Sequence, residues 1–262
     1  MMPPPLFLRN ALLASLLVSV ASGVVGAYVV VKRIVSIGGG ISHATFGGIG
    51  LGILLGLNPL LTAIPFSLAS ALAMALITRR GRVSEDAAIG ILWATGMALG
   101  VLFISLKRGY VPELSAYLFG SILTVPTHEL QLMAALDLII LMVVAFFFRE
   151  LLHICFDEEF SEVVGVPVEP LYIALLCLIS LSVIVLVRAV GVILTIALLS
   201  IPSSISLKLT HSVKAVMILS TLLSLTLLIL GLALSYLLDL PPGALTVLLS
   251  IGAFTLSSLK SR

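Results

Sequence analysis

Charge is what this sequence has least of. Asp, Glu, Lys and Arg make up only 10% of its 262 residues, against 60% hydrophobic residues, where a water-soluble domain carries about 25% charged residues. A solvated surface cannot be built from so few, and a soluble globular protein is excluded. Cysteine is nearly absent too: Cys155 and Cys177 are the two, too few for a disulfide framework or a CxxC metal site. The chain holds no HExxH, no GxSG and no GxxxxGK followed by Ser or Thr, so zinc-protease, serine-elbow and P-loop chemistry have no seat in it, and it is not itself an ATPase. A net charge of +2, spread among short connections, implies no nucleic-acid partner.

What is present is apolar length. A span needs about 20 mostly apolar residues, and backbone groups in lipid must bond within their own segment, so repeated apolar runs mean helices. The runs fall near 10–31, 40–57, 59–78, 86–106, 130–148, 170–187, 190–207, 213–238 and 242–259. This predicts an all-α polytopic bundle of about nine spans, or eight if the closely spaced pair around Ala189 or around Asn58-Pro59 merges. The apolar start imitates a signal peptide, but the many spans behind it make it a retained first helix. If the N-terminus is outside, ten of the fourteen Lys and Arg fall inside and four, Arg9, Lys107, Arg108 and Arg188, fall outside. This bias predicts an outside N-terminus and a cytoplasmic C-terminus. The whole chain, 1–262, reads as one transmembrane domain in a multi-pass cell membrane protein with the lipid bilayer as its solvent.

Two stretches stand out. Ser36 to Gly56 reads SIGGGISHATFGGIGLGILLG. Ala44, Gly48, Gly52 and Gly56 recur every four residues, a small-residue stripe against which another helix can pack closely. Gly38, Gly39 and Gly40 are expected to be an unwinding point, because each weakens a helix by about 1 kcal/mol relative to Ala. His43 then falls near mid-membrane, where an ionisable side chain is a functional candidate by default; the bland alternative is a neutral imidazole bonded to a carbonyl or a serine. The second stretch, 155–168, has acids at Asp157, Glu158 and Glu159, apolar Phe160, Val163 and Val164 at helical spacing, and Gly165 and Pro167 at its end. It predicts a short amphipathic helix with an apolar knob for a soluble partner, or else an ordinary interfacial helix.

Six blocks in order, SIGGGISHATFGGIGLGILLGLNPL, SEDAAIGILWATGMALGVLFISL, AYLFGSIL, DEEFSEVVGVPV, VGVILTIALLSIPSSISLKL and SYLLDLPPGALTVLL, resemble the permease subunits of zinc and manganese ABC transporters over nearly the whole chain. The resemblance implies an importer permease working as a homodimer or a similar pair, with a cytoplasmic ABC ATPase dimer that consumes the ATP, an extracytoplasmic metal-binding protein, and a divalent metal ion as cargo with no covalent cofactor. It implies that Asp157, Glu158, Phe160, Val163, Val164 and Gly165 belong to the element that docks on the ATPase. The family commonly reads Gly-Asp-x-x-Ser-His before the histidine; here Gly39 stands where that Asp is expected, and Ser121 stands where many relatives carry Asp. His43 is therefore the expected transit contact, and Asp137 a weaker accessory candidate that is expected to sit solvated near the outer rim, in reach of Arg188. Glu85 and Asp86 are expected to favour a helix N-terminus. A metal-chelate permease of the same plan is the alternative; a secondary transporter would show inverted repeats, and none is evident.

Overall fold

In a computed structural model of the chain, residues 6–80, 83–107 and 120–260 are described. Arg82, Arg108, Arg262 and the AYLF half of the AYLFGSIL block lie outside them. The helices are α1 (Leu6–Val31), α2 (Val35–Leu55), α3 (Pro59–Arg80), α4 (Glu85–Leu106), α5 (Thr127–Phe146), α6 (Phe148–Phe156), α7 (Glu158–Val163), α8 (Val168–Leu209), α9 (Val213–Leu238) and α10 (Pro242–Lys260), with a short 3-10 turn at Ile122–Thr124 before α5. Among the described residues there is no strand.

Eight of these helices are long and apolar enough to cross a membrane. One of the eight, α8, has 42 residues, which at 1.5 Å per residue is about 63 Å, twice the hydrocarbon thickness. It is broken at Gly191, whose φ of 78° and ψ of 170° are not helical. The two halves fold back on each other: a Cβ placed on Gly38 would stand 3.2 Å from Leu199 Cδ1 and 4.0 Å from Ile179 Cγ2, although those two residues would lie about 30 Å apart along a straight helix. With α8 counted as two, the described residues hold nine runs of membrane-crossing length, with the reversal where the two runs abut. Gly191 is needed for its positive φ, and Gly120, also at positive φ, lies so close beneath it that any Cβ would strike the Val190–Gly191 peptide.

The bundle has two ends of different character. At one end, Asn10 Nδ2 donates to Val125 O at 3.1 Å, Lys107 Nζ donates to Leu54 O at 3.4 Å, and Arg188 pairs with Glu129. At the other, Lys32 and Arg79 meet Glu158, Lys208 Nζ donates to Ser258 Oγ at 2.6 Å, and Lys214 lies 5.0 Å from the Phe148 ring.

The interior is made of α1, α2 and α8; the apolar stretch of α2 is 83% buried, against 22% for α4 and 11% for α10. Several serine hydroxyls inside it are satisfied by carbonyls one turn back, as Ser42 Oγ to Gly38 O at 2.7 Å and Ser206 Oγ to Pro202 O at 2.8 Å, which offsets the cost of placing them out of water; the Ser182 and Ser203 hydroxyls of α8 have no such partner among the described residues. The small residues of α2 do not form the single stripe expected of Ala44, Gly48, Gly52 and Gly56. Gly48 and Gly52 face α3, where Cβ atoms would come within 2.8 Å of Ala63 Cα and 2.7 Å of Pro59 Cα, while Ala44 and Gly50 face Gly96 and Gly100 of α4. Gly56 packs against no helix and instead closes α2 in the left-handed conformation. The expected unwinding at Gly38, Gly39 and Gly40 is not observed: all three are helical and buried. They face Leu199, Ile196 and Ile89 in turn, so close approach of neighbouring helices accounts for them, with tertiary packing overriding the weak local propensity.

Candidate functional site

Because α2 is packed among α3, α4 and α8, most of its side chains face protein rather than lipid. His43 is half-buried there. Its ring stacks on Trp93 of α4, with centroids 3.9 Å apart and planes 8° from parallel. Its Nδ1 is buried and has no hydrogen-bond partner among the described residues, and Ser42, the nearest hydroxyl in sequence, is turned to its own helix. The bonded histidine weighed from sequence is therefore not what is seen at Nδ1. Gly39, one turn earlier, faces Ile196, whose Cδ1 would be 3.1 Å from a Cβ there; the place of the missing carboxylate is closed by an aliphatic side chain. No cluster of three or more His, Cys, Asp or Glu exists among the described residues, so one copy offers a single imidazole in an aromatic and aliphatic setting. Trp93, the chain's one tryptophan, is a site residue that sequence reasoning passed over; its rarity was the available signal.

Asp137 departs from expectation. It is 3% exposed, and neither carboxylate oxygen has a hydrogen-bond partner among the described residues. The reason is geometric. α5 starts at Thr127, which puts Asp137 about 15 Å along it, at mid-bundle rather than at a solvated rim. Nor does it pair with Arg188, whose Nε contacts Glu129 in the first turn of α5. Glu129 and Arg188 line a cavity of about 50 Å³ with Thr45 and Asn58, and Thr45 Oγ1 leads inward by hydrogen bonds to Ser67 at 3.1 Å and from Ser67 to Ser180 at 2.7 Å. Ser121 lies at the same end, in a cleft with Val190 and Gly243 beside the Gly191 bend.

At the opposite end α6 and α7 form an angled pair beneath the spans. Cys155 is buried in α6, where burial, opposed by Lys32 and slightly aided by Glu158, pushes its thiol up to about 12 and keeps it protonated and inert. Asp157 caps α7, accepting the Phe160 N–H at 2.9 Å, and Gly165 ends the turn at φ 85°. Phe160, Val163 and Val164 are 56%, 85% and 52% exposed, and Phe160 lines an open groove of about 220 Å³ with Leu152 and Phe156. Glu158 Oε1 meets Lys32 Nζ at 2.5 Å and its Oε2 meets Arg79 Nη2 at 2.7 Å. Burial works to raise the Glu158 carboxyl, but hydrogen bonds from the two cations outweigh it and hold the group below the usual carboxylate range. Ser84 caps α4, accepting from Ala87 N at 3.3 Å, so Glu85 and Asp86 enter its first turn at the favourable end of the helix dipole.

Residues 6–261 match the ABC 3 transport family. An uncharacterised membrane protein of Synechocystis sp. is 43% identical over 251 residues, covering 96% of this chain and 89% of that one. A manganese transport system membrane protein of Listeria monocytogenes is 30% identical over 253 residues, 97% of this chain and 90% of that one. Among solved structures, PsaBC of Streptococcus pneumoniae in complex with Fab superposes with a TM-score of 0.87 at 30% identity, covering 97% of this chain and 91% of that chain. An all-α bundle with eight helices of membrane-crossing length among the described residues is the architecture of a polytopic membrane protein. The chain belongs to the ABC 3 transport family, as a multi-pass pore subunit of the cell membrane, with ATP hydrolysis residing in a separate subunit.

Proposed function

We propose that this chain imports a divalent transition metal ion, manganese or zinc, across the cytoplasmic membrane, paired with an identical or similar permease, fed by an extracytoplasmic metal-binding protein and driven by a cytoplasmic ABC ATPase dimer. The N-terminus lies outside and the C-terminus inside, because the α7 end carries Lys32, Arg33, Arg79, Arg149, Lys208 and Lys214. The exposed Phe160, Val163 and Val164 are the knob that seats on the ATPase; Asp157 and Gly165 fix its shape, and Glu158 ties it to the spans from the side away from the knob. The observation that carries the metal path is His43, an imidazole half-buried on an interior helix with no hydrogen-bond partner for Nδ1 among the described residues.

The Listeria monocytogenes relative, a manganese transport system membrane protein, supports manganese. The donor set pulls toward zinc, since imidazole suits zinc whereas manganese favours oxygen ligands, and Gly39 offers no carboxylate. Two imidazoles from paired copies, completed by water and carbonyls, make a weak transit site, which release requires. The test is metal-stimulated ATPase activity and uptake by the reconstituted complex with its cognate binding protein, scanned over manganese, zinc, iron and cobalt. In a His43→Ala variant, uptake of the preferred metal falls about tenfold or more with assembly unchanged. Normal uptake of every metal by that variant removes His43 from the path, and stimulation only by a large chelate overturns the free-ion reading.

A further inference from the structure

The docking helix is held by charge. Of the six residues of α7, only Ser161 is buried, and its apolar side chains point away from the bundle. What ties it to the spans is the Glu158 carboxylate, which takes Lys32 from the end of α1 on one oxygen and Arg79 from the end of α3 on the other. Lys32 also donates to Ile154 O of α6 at 2.7 Å. The Arg79 guanidinium lies 4.3 Å from the ring centroid of Tyr172 on α8, Lys32 lies 5.7 Å from the same centroid, and Tyr172 Oη donates to Glu85 of α4 at 3.4 Å. Tyr172 itself is 1% exposed. One carboxylate thus gathers the inner ends of α1, α3, α4 and α8.

Both of its direct partners lead to α2. α1 turns into α2 through Lys32–Ile34, with Arg33 at φ 64°, and α3 packs on Gly48 and Gly52 of α2. We infer that Glu158 is the positioning residue that transmits displacement of α7 to α1 and α3, and through them to α2 and His43, separately from the docking that Phe160 and Val163 perform. This rests on the reading of α7 as the ATPase-docking helix.

The test uses the assembled complex of this chain with its ATPase and binding protein in proteoliposomes, with manganese and zinc as probes. Three quantities are read: ATPase subunit retained on purification, basal ATP hydrolysis, and metal moved per ATP. Glu158→Gln keeps the side chain's size but loses the charge. Expected are retention and basal hydrolysis within twofold of the parent and metal per ATP lowered about tenfold or more, with partial recovery in the reciprocal Glu158→Lys, Lys32→Glu pair. Phe160→Ser with Val163→Ser is expected to lose the ATPase subunit instead. Unchanged metal per ATP in Glu158→Gln overturns the inference, as does loss of the ATPase or failure to assemble, which makes Glu158 a docking or folding residue. Retention of the ATPase by the Phe160, Val163 variant overturns the docking reading alone.

Discussion

α2 and α7 are held in place by opposite means. α2 carries no charged residue; it is fixed by backbone-to-backbone approach, with Gly50 against Gly100 and Gly52 against Pro59. α7 buries almost nothing and is fixed by a carboxylate between two cations. Close packing of small residues is stiff, dry and indifferent to salt. An ion pair at the rim is reversible and screened. The chain is thus stiffly packed around His43 and held by a reversible contact at α7.

The largest effect should come from attacking the packing. A Cβ on Gly50 would stand 2.6 Å from Gly100 O and 2.8 Å from Gly100 Cα, while one on Gly90, on the same α4 that α2 packs against, meets nothing within 4 Å. Gly50→Leu is expected to destabilise by about 3 kcal/mol or more, the upper range for overpacking, and to leave little monodisperse protein in detergent. Gly90→Leu is expected to melt within about 0.5 kcal/mol of the parent. Equal melting temperatures for the two remove the claim that α2 is fixed by contact with α4.

A smaller effect, of opposite sign, is expected at Asp137. A carboxyl buried without a partner costs stability, so replacing it with an apolar side chain of similar size relieves that cost. Asp137→Leu should melt no lower than the parent while metal uptake falls, the pattern of a residue kept for the ion's route. Thermal unfolding alongside uptake decides it. A lower melting temperature shows a structural acid, and unchanged uptake takes Asp137 off the route.

These particular residues also show what could be read without coordinates. The spans were legible because lipid leaves the backbone few choices, and the reversal at Gly191 fell where two apolar runs abut near Ala189. The knob on α7 was legible from its spacing, since Phe160, Val163 and Val164 lie within one turn and a half. Pairings across the fold were not. Glu158 meets partners 126 and 79 positions away, Arg188 finds Glu129 rather than Asp137, and nothing local distinguishes these acids from Glu159 or Glu169. The triple glycine misled because helix propensity is a local property, whereas Gly39 and Gly40 answer to Ile196 and Ile89 on other helices.

The smallest effect separates the two helices by solution conditions alone. Raising salt from about 0.1 M to about 1 M shortens the screening length from about 10 Å to about 3 Å. The side chains of Lys32, Glu158 and Arg79 are 10%, 29% and 33% exposed, so the brace should weaken by about 0.2–1 kcal/mol, a factor of about 1.4 to 5 in its closed population. Metal moved per ATP should fall within that range, while the melting temperature, set by the glycine packing, holds. Acid has a different reach. The Glu158 carboxyl is lowered by its cations, with burial opposing, so its contribution is complete above the ordinary carboxylate value of about 4.3 and is lost only as pH falls through the still lower folded value. Coupling that is flat between pH 5 and 8 and salt-sensitive at either pH fits a brace resting on Glu158; loss of coupling between pH 7 and 6 shows that a group other than Glu158 carries it.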